Sequence, residues 1–210
     1  AVVGGVDSLC ATTLYGVRSL DVVSAEPCAP WDRFRKGISI GEGAGFALLE
    51  RGGEAADPRL LGYGESSDAY HMSAPHPEGA GAAQAMAAAL RCAGVSADDI
   101  DYVNLHGTAT PANDLAEDRA IAKVFDPAPP ASSTKGWTGH TLGASGVTEA
   151  IFCLLAIEHG FLPKSLNMLH ADPDLSTAVL TETLAREPRR VVTNSFGFGG
   201  SNCSLVLGTP

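Results

Sequence analysis

Glycine gathers in three clusters, Gly41–Gly45, Gly136–Gly146 and Gly197–Gly200, and each cluster abuts an apolar run. The 24 glycines follow no fixed period, which excludes a collagen-like chain or a solenoid. Clustered glycine between apolar segments marks places where backbone passes close to other backbone or to a ligand. The chain must therefore fold into layers with tight crossings. A composition of 45% hydrophobic and 18% charged residues, with mean hydropathy +0.08, supplies the core and excludes a disordered chain.

Segments between the clusters alternate in period. Val2–Val6, Ala44–Glu50, Leu60–Glu65, Ile100–His106, Arg190–Ser195 and Asn202–Gly208 read as strands. Thr12–Leu20, Ala80–Ala93, Asp114–Phe125 and Thr141–His159 read as helices, with Gly94 closing the second and a short turn starting at Ser96. The Gly- and Pro-bearing stretch Arg51–Pro58 reads as a turn. Helices interleaved with strands indicate a layered α/β fold without independent domains. The most apolar run, Ala150–Ile157, is short for a membrane span and reads as a buried helix, and the start of the sequence shows no signal peptide.

Fourteen basic against 24 acidic residues give a net charge of −10, which offers no basic field to gather nucleic acid. Five cysteines at positions 10, 28, 92, 153 and 203 are too far apart for a zinc knuckle or a disulfide framework, and read as reduced thiols of a cytoplasmic protein. Gly41-Glu-Gly-Ala-Gly45 precedes a strand rather than opening a helix, so it is no dinucleotide fingerprint. No Walker loop or His-Glu-x-x-His is present, and Gly143-Ala-Ser-Gly146 falls one residue short of a nucleophile elbow.

Two of six histidines stand apart. His106 ends an apolar strand at Gly107-Thr108, where ligand sites of α/β sheets gather. His140 lies in a glycine-rich approach to the long helical pattern, where the helix dipole is expected to keep its imidazole neutral. A neutral imidazole can donate a hydrogen bond to a developing oxyanion. Pattern alone leaves catalytic and structural readings of the pair in balance.

Three stretches tip that balance: His106-Gly-Thr-Ala-Thr-Pro followed by Asn113-Asp114; Lys135-Gly-Trp-Thr-Gly-His140-Thr-Leu-Gly-Ala-Ser-Gly; and Asn194-Ser-Phe-Gly-Phe-Gly-Gly-Ser-Asn202. In this order the sequence resembles the β-ketoacyl-[acyl-carrier-protein] synthases, thiolase-like condensing enzymes of fatty acid and polyketide synthesis. The resemblance implies a layered thiolase-like α/β fold, with Ala1–Ser67 as the end of a first pseudo-repeat and Asp68–Pro210 as a complete second one. It implies His106 and His140 as the pair that serves decarboxylation and holds the enolate, Lys135 and Glu149 as the ion pair that orders them, and Phe198 as a gate whose N–H serves an oxyanion hole. Thr108 and Thr110 would hold the pantetheine arm. Phe196 is either substrate-facing or ordinary core.

By the same resemblance the nucleophilic cysteine lies upstream of Ala1, Cys10 lacks its flanking pattern, and the isolated chain is expected to be inactive. Acyl carrier protein is the implied substrate carrier, and a homodimer or a heterodimer with a related synthase chain the implied assembly. The alternative is a non-catalytic chain-length-factor-like subunit. No cofactor is required. Trp137 would narrow the acyl site. A monovalent cation held by Asn104, Glu149, Thr193 and Asn194 stands against the simpler reading, a Lys135–Glu149 salt bridge that needs no ion. The strands Val2–Val6, Ala44–Glu50 and Leu60–Glu65 are expected to share one sheet with uncovered edges.

Overall fold

The apolar runs near the C-terminus are continuous rather than alternating, as in strands buried on both faces. In the computed structural model, which describes residues 1–54 and 57–209, they form the middle of a five-stranded sheet. Its strands are β3 (Arg59–Ser67), β4 (Tyr102–Asn104), β5 (Ala131–Ser132), β6 (Arg190–Phe196) and β7 (Ser201–Gly208), in the spatial order β3-β7-β6-β4-β5. β4 runs parallel to β5 and β6, whereas β7 is antiparallel to β3 and β6.

Alternation along these strands divides the core in two. Val103, Val192 and Val206 pack with Met86, Leu90 and Ile121 from helices α2 (Ala80–Ala93) and α3 (Pro111–Val124). Their neighbours Tyr102, Val191 and Leu207 pack with Cys153 and Ile157 of helix α5 (Ser145–His159) on the opposite face. α2 lies directly on β3, where a Cβ on Gly64 would overlap the Ala85 carbonyl oxygen. Glycine there is demanded by the approach of helix to strand.

α5 also touches a second, two-stranded antiparallel sheet made of β1 (Val2–Asp7) and β2 (Gly43–Leu48). The helix thus lies between the two sheets. Gly45 and Ala47 face it, while Val2, Val6, Phe46 and Leu48 turn outward and are 62–73% exposed. Helix α1 (Ala11–Arg18) follows β1 without a buried residue.

Four expectations need correction. Leu60–Glu65 does not join Val2–Val6 and Ala44–Glu50, because β3 pairs with β7 in the larger sheet. The helical pattern Thr141–His159 is broken into a 3₁₀ turn, Leu142–Ala144, and α5. Over 18 residues Leu142–His159 reaches a mean hydropathy of 1.3, so by length and composition this stretch could cross a membrane, contrary to the reading of Ala150–Ile157 alone. Its packing between two sheets and its buried Glu149 make it a core helix. The glycine-rich approach to His140 contains a further short helix, α4 (Lys135–Thr138). Residues 55 and 56 of the expected Arg51–Pro58 turn lie outside the described residues.

Candidate active site

β4 stops at Asn104, and the chain turns through His106-Gly107 into α3. The turn is fastened from below by a buried acid. Glu117 of α3 accepts the backbone N–H of His106 and of Gly107, both at 2.8 Å, and the Asn194 side-chain amide at 3.1 Å. Burial pushes Glu117 up to about 7, against the pull of these three donors. Asp114, one helical turn earlier, accepts the N–H groups of Ala109 and Trp31 and is raised by burial to about 6, with Arg35 beside it.

His140 comes from a different support. Its N–H donates to the Ser39 carbonyl at 2.7 Å and its carbonyl accepts the Gly41 N–H at 3.0 Å, so residues 39–41 clamp its backbone. α5 begins only at Ser145, so His140 does not cap that helix as expected. Its imidazole is held well down, to about 3, by burial and then by the Lys135 ammonium, not by a helix end.

The two imidazoles meet edge to face with centroids 5.3 Å apart, although 34 positions separate them in sequence. His106 is lowered far below the ordinary range by burial first, then by Lys135 and His140. Lys135, 1% exposed, donates to His106 Nδ1 at 3.4 Å and pairs with Glu149 of α5. The Leu142 N–H donates to His140 Nδ1 at 3.3 Å. With both Nδ1 atoms accepting, the proton of each neutral ring resides on Nε2. Both rings line one cleft.

That cleft has a volume of roughly 720 Å³, and its walls include both histidines, Thr108, Thr110, Phe196, Phe198 and Leu142. Thr108 and Thr110 are linked by their hydroxyls at 2.9 Å. Phe196 packs on His106 with centroids 5.8 Å apart, so it faces the site and the core together. Phe198 is 56% exposed on a turn tied to the segment before α2 by the Gly199 N–H to the Met72 carbonyl. Trp137 does not line this cleft: half exposed, it donates its indole N–H to the Lys164 carbonyl.

The four expected cation ligands do not converge as side chains. Thr193 donates to Asn104 Oδ1 at 3.4 Å on the α5 side of the sheet. Asn194, the next residue on β6, points to the other side, engaged by Glu117 and by the Ser204 hydroxyl. Glu149 gives Oε1 to Lys135, and its buried Oε2 is left without a partner. Among the described residues no cluster of three His, Cys, Asp or Glu suits a metal ion.

Glu117 and Asp7, whose contact with Gly143 is described below, escaped the sequence reading. A signal existed for Glu117: with Asp114 and Ile121 it falls on one stripe of α3, so an acid was aimed at the core.

An α5 helix between two sheets, with two neutral imidazoles brought together on one cleft, defines a thiolase-like fold. Models of the beta-ketoacyl synthase N-terminal domain and C-terminal domain match residues 1–55 and 59–169. The chain belongs to the beta-ketoacyl synthase family. It is 44% identical over 195 residues to a mitochondrial 3-oxoacyl-[acyl-carrier-protein] synthase of Arabidopsis thaliana, covering 87% of this chain and 42% of that one. With 3-oxoacyl-[acyl-carrier-protein] synthase 2 of Coxiella burnetii the identity is 38%, over 99% of this chain and 54% of the relative. A ketosynthase of Xenorhabdus doucetiae, solved in complex with its chain length factor, superposes with a TM-score of 0.94 at 46% identity, over all of this chain and 53% of its own. The chain spans about half the length of the relatives it matches.

Proposed function

We propose that the full-length protein is a 3-oxoacyl-[acyl-carrier-protein] synthase and that this chain supplies the half of its machinery that handles the malonyl thioester. The observation that carries the reading is the pair of neutral imidazoles, 5.3 Å apart, each engaged at Nδ1 and both lining one cleft. Loss of carbon dioxide from a malonyl thioester leaves its electron pair on the α-carbon and thioester oxygen. Two preorganised neutral donors stabilise that enolate without transferring a full proton. The carbanion then attacks an acyl thioester held on a cysteine, the new carbon–carbon bond forms, and the cysteine sulfur leaves as thiolate.

The nucleophile in this reading belongs to the part of the protein beyond these 210 residues. Burial raises Cys28 to about 11 and also raises Cys153 and Cys203, which is unfavourable for a thiolate. Cys10 is lowered by Thr13, but it does not line the cleft. Lys135 and Glu149 act on His106 from behind, Thr108 and Thr110 offer hydroxyls to a pantetheine arm, and Phe198 borders the entry. Acyl carrier protein delivers both thioesters, in keeping with the names of the relatives. A second chain of the same family completes the assembly, either another copy or, as in the Xenorhabdus complex, a chain length factor. The five free cysteines suit a reducing compartment such as the cytoplasm. A monovalent cation, if bound, would use Glu149 Oε2 with the α5-facing Asn104 and Thr193, not the Asn194 side chain.

A non-catalytic subunit has no use for two tautomer-locked donors, which favours the enzyme. Release of carbon dioxide from malonyl carrier protein by the full-length protein tests the reading. His106→Ala and His140→Ala should each lower it by about 10²-fold or more. An inactive wild type, or variants as fast as a working one, would refute it.

A further inference from the structure

Asp7 ends β1, and its Oδ2 accepts the backbone N–H of Gly143 at 2.9 Å, 136 positions away in sequence. The neighbouring residue, Leu142, is the one whose N–H reaches His140 Nδ1. The junction is tight, since a Cβ on Gly5 would stand 2.5 Å from the Gly143 carbonyl oxygen. Leu142 itself has φ +46°, a left-handed conformation that strains any residue carrying a Cβ. Such a turn persists only where its surroundings hold it. The clamp of residues 39–41 fixes the His140 backbone, but the orientation of its ring depends on the strained turn.

We propose that Asp7 is a positioning residue for His140: by holding Gly143 it keeps the Leu142 turn closed, and the turn keeps the imidazole in the Nε2–H tautomer that faces the cleft. Asp7 is not part of the cleft wall and touches no reacting atom. Its influence crosses from the small sheet to a ring that the glycine-rich loop carries. The inference rests on the reading of His140 as a neutral donor given above.

The test uses the full-length protein, with tautomers read from long-range ¹⁵N–¹H imidazole correlations and with kcat and KM for malonyl thioester decarboxylation. In the wild type, His140 should appear as the Nε2–H form alone. Asp7→Ala should add the Nδ1–H form and lower kcat by about tenfold, a fraction of the loss of a whole donor, with KM little changed. Asp7→Asn keeps an acceptor oxygen and should restore both readouts. Leu142→Gly in the Asp7→Ala background removes the strain and should restore the tautomer. A single Nε2–H form with wild-type kcat in Asp7→Ala would overturn the inference, as would failure of both restoring variants. Should Asp7→Ala not fold, a mixed tautomer in Asp7→Asn would overturn it instead. A wild type without decarboxylase activity would refute the proposed function, while the tautomer spectra would still decide the role of Asp7.

Discussion

The carboxylate of Glu117 holds the backbone N–H of His106 at 2.8 Å, so a donor histidine is positioned through its main chain by a buried acid. Only the ionised form accepts from His106, Gly107 and Asn194 together. Decarboxylation is therefore expected to fall as pH drops through about 7, the value to which burial raises Glu117, and not at the far lower values of the histidines. Stability runs the other way. Glu117 is raised above its unfolded value of 4.5, so its contribution is full below that pH and lost as pH rises through about 7. His140, lowered from 6.5 to about 3, contributes stability above 6.5 that is lost as pH falls towards 3. Relative to wild type, Glu117→Gln should be less destabilised at pH 7.5 than at pH 5 in urea unfolding, and the acid limb near 7 should vanish from its rate profile.

Lys135 and Glu149 form a pair almost wholly out of solvent. Lys135→Met strands a buried carboxylate and should cost about 3–5 kcal/mol of stability. Adding Glu149→Gln should return much of that loss by removing the stranded charge. Activity should stay low in both, because His106 Nδ1 no longer accepts from an ammonium. Equal urea midpoints for the single and double variants would contradict the account.

The turn after His106 contains a contrast that can be measured directly. Ala109 has φ +64°, and Ala109→Gly should raise stability by up to about 1 kcal/mol, the relief of left-handed strain less the entropy glycine adds to the unfolded chain. Gly107 has φ +41°, and a Cβ there would overlap the Ser133 side chain. Gly107→Ala should destabilise by about 2 kcal/mol or more. Denaturant midpoints shifting in one common direction would show that the turn is not constrained in this way.

Outward on the small sheet, Val2, Val6, Phe46 and Leu48 form an exposed apolar face. Phe46→Lys with Leu48→Thr should reduce self-association of the 210-residue chain, read by sedimentation velocity, and leave its far-ultraviolet spectrum unchanged. Unaltered association would place the sticky surface elsewhere.

Much of this was legible because local rules and tertiary demand agreed. The Ala-rich α2 with its Gly94 cap matches the expectation residue for residue, and His106 does sit just past a strand end. Pattern reading failed where partners distant in sequence decide. The apolar period ran smoothly through Leu142–Ala144, yet Asp7 and the His140 ring draw those amides out of the helix. β5 is two residues long and is set by its pairing with β4 on one side and with Val179 on the other. Strand alternation, read residue by residue, sends the side chains of Thr193 and Asn194 to opposite faces of the sheet.

The small sheet touches the rest of the fold chiefly through α5 and the turn after His140. It can therefore behave as a separate cooperative unit that opens while β6 and β7 remain paired. Amide hydrogens of β1, β2 and residues 142–144 would then exchange with solvent as a group, ahead of the larger sheet. The free energy of that partial opening, lower than that of global unfolding, would set the temperature at which the two imidazoles part company.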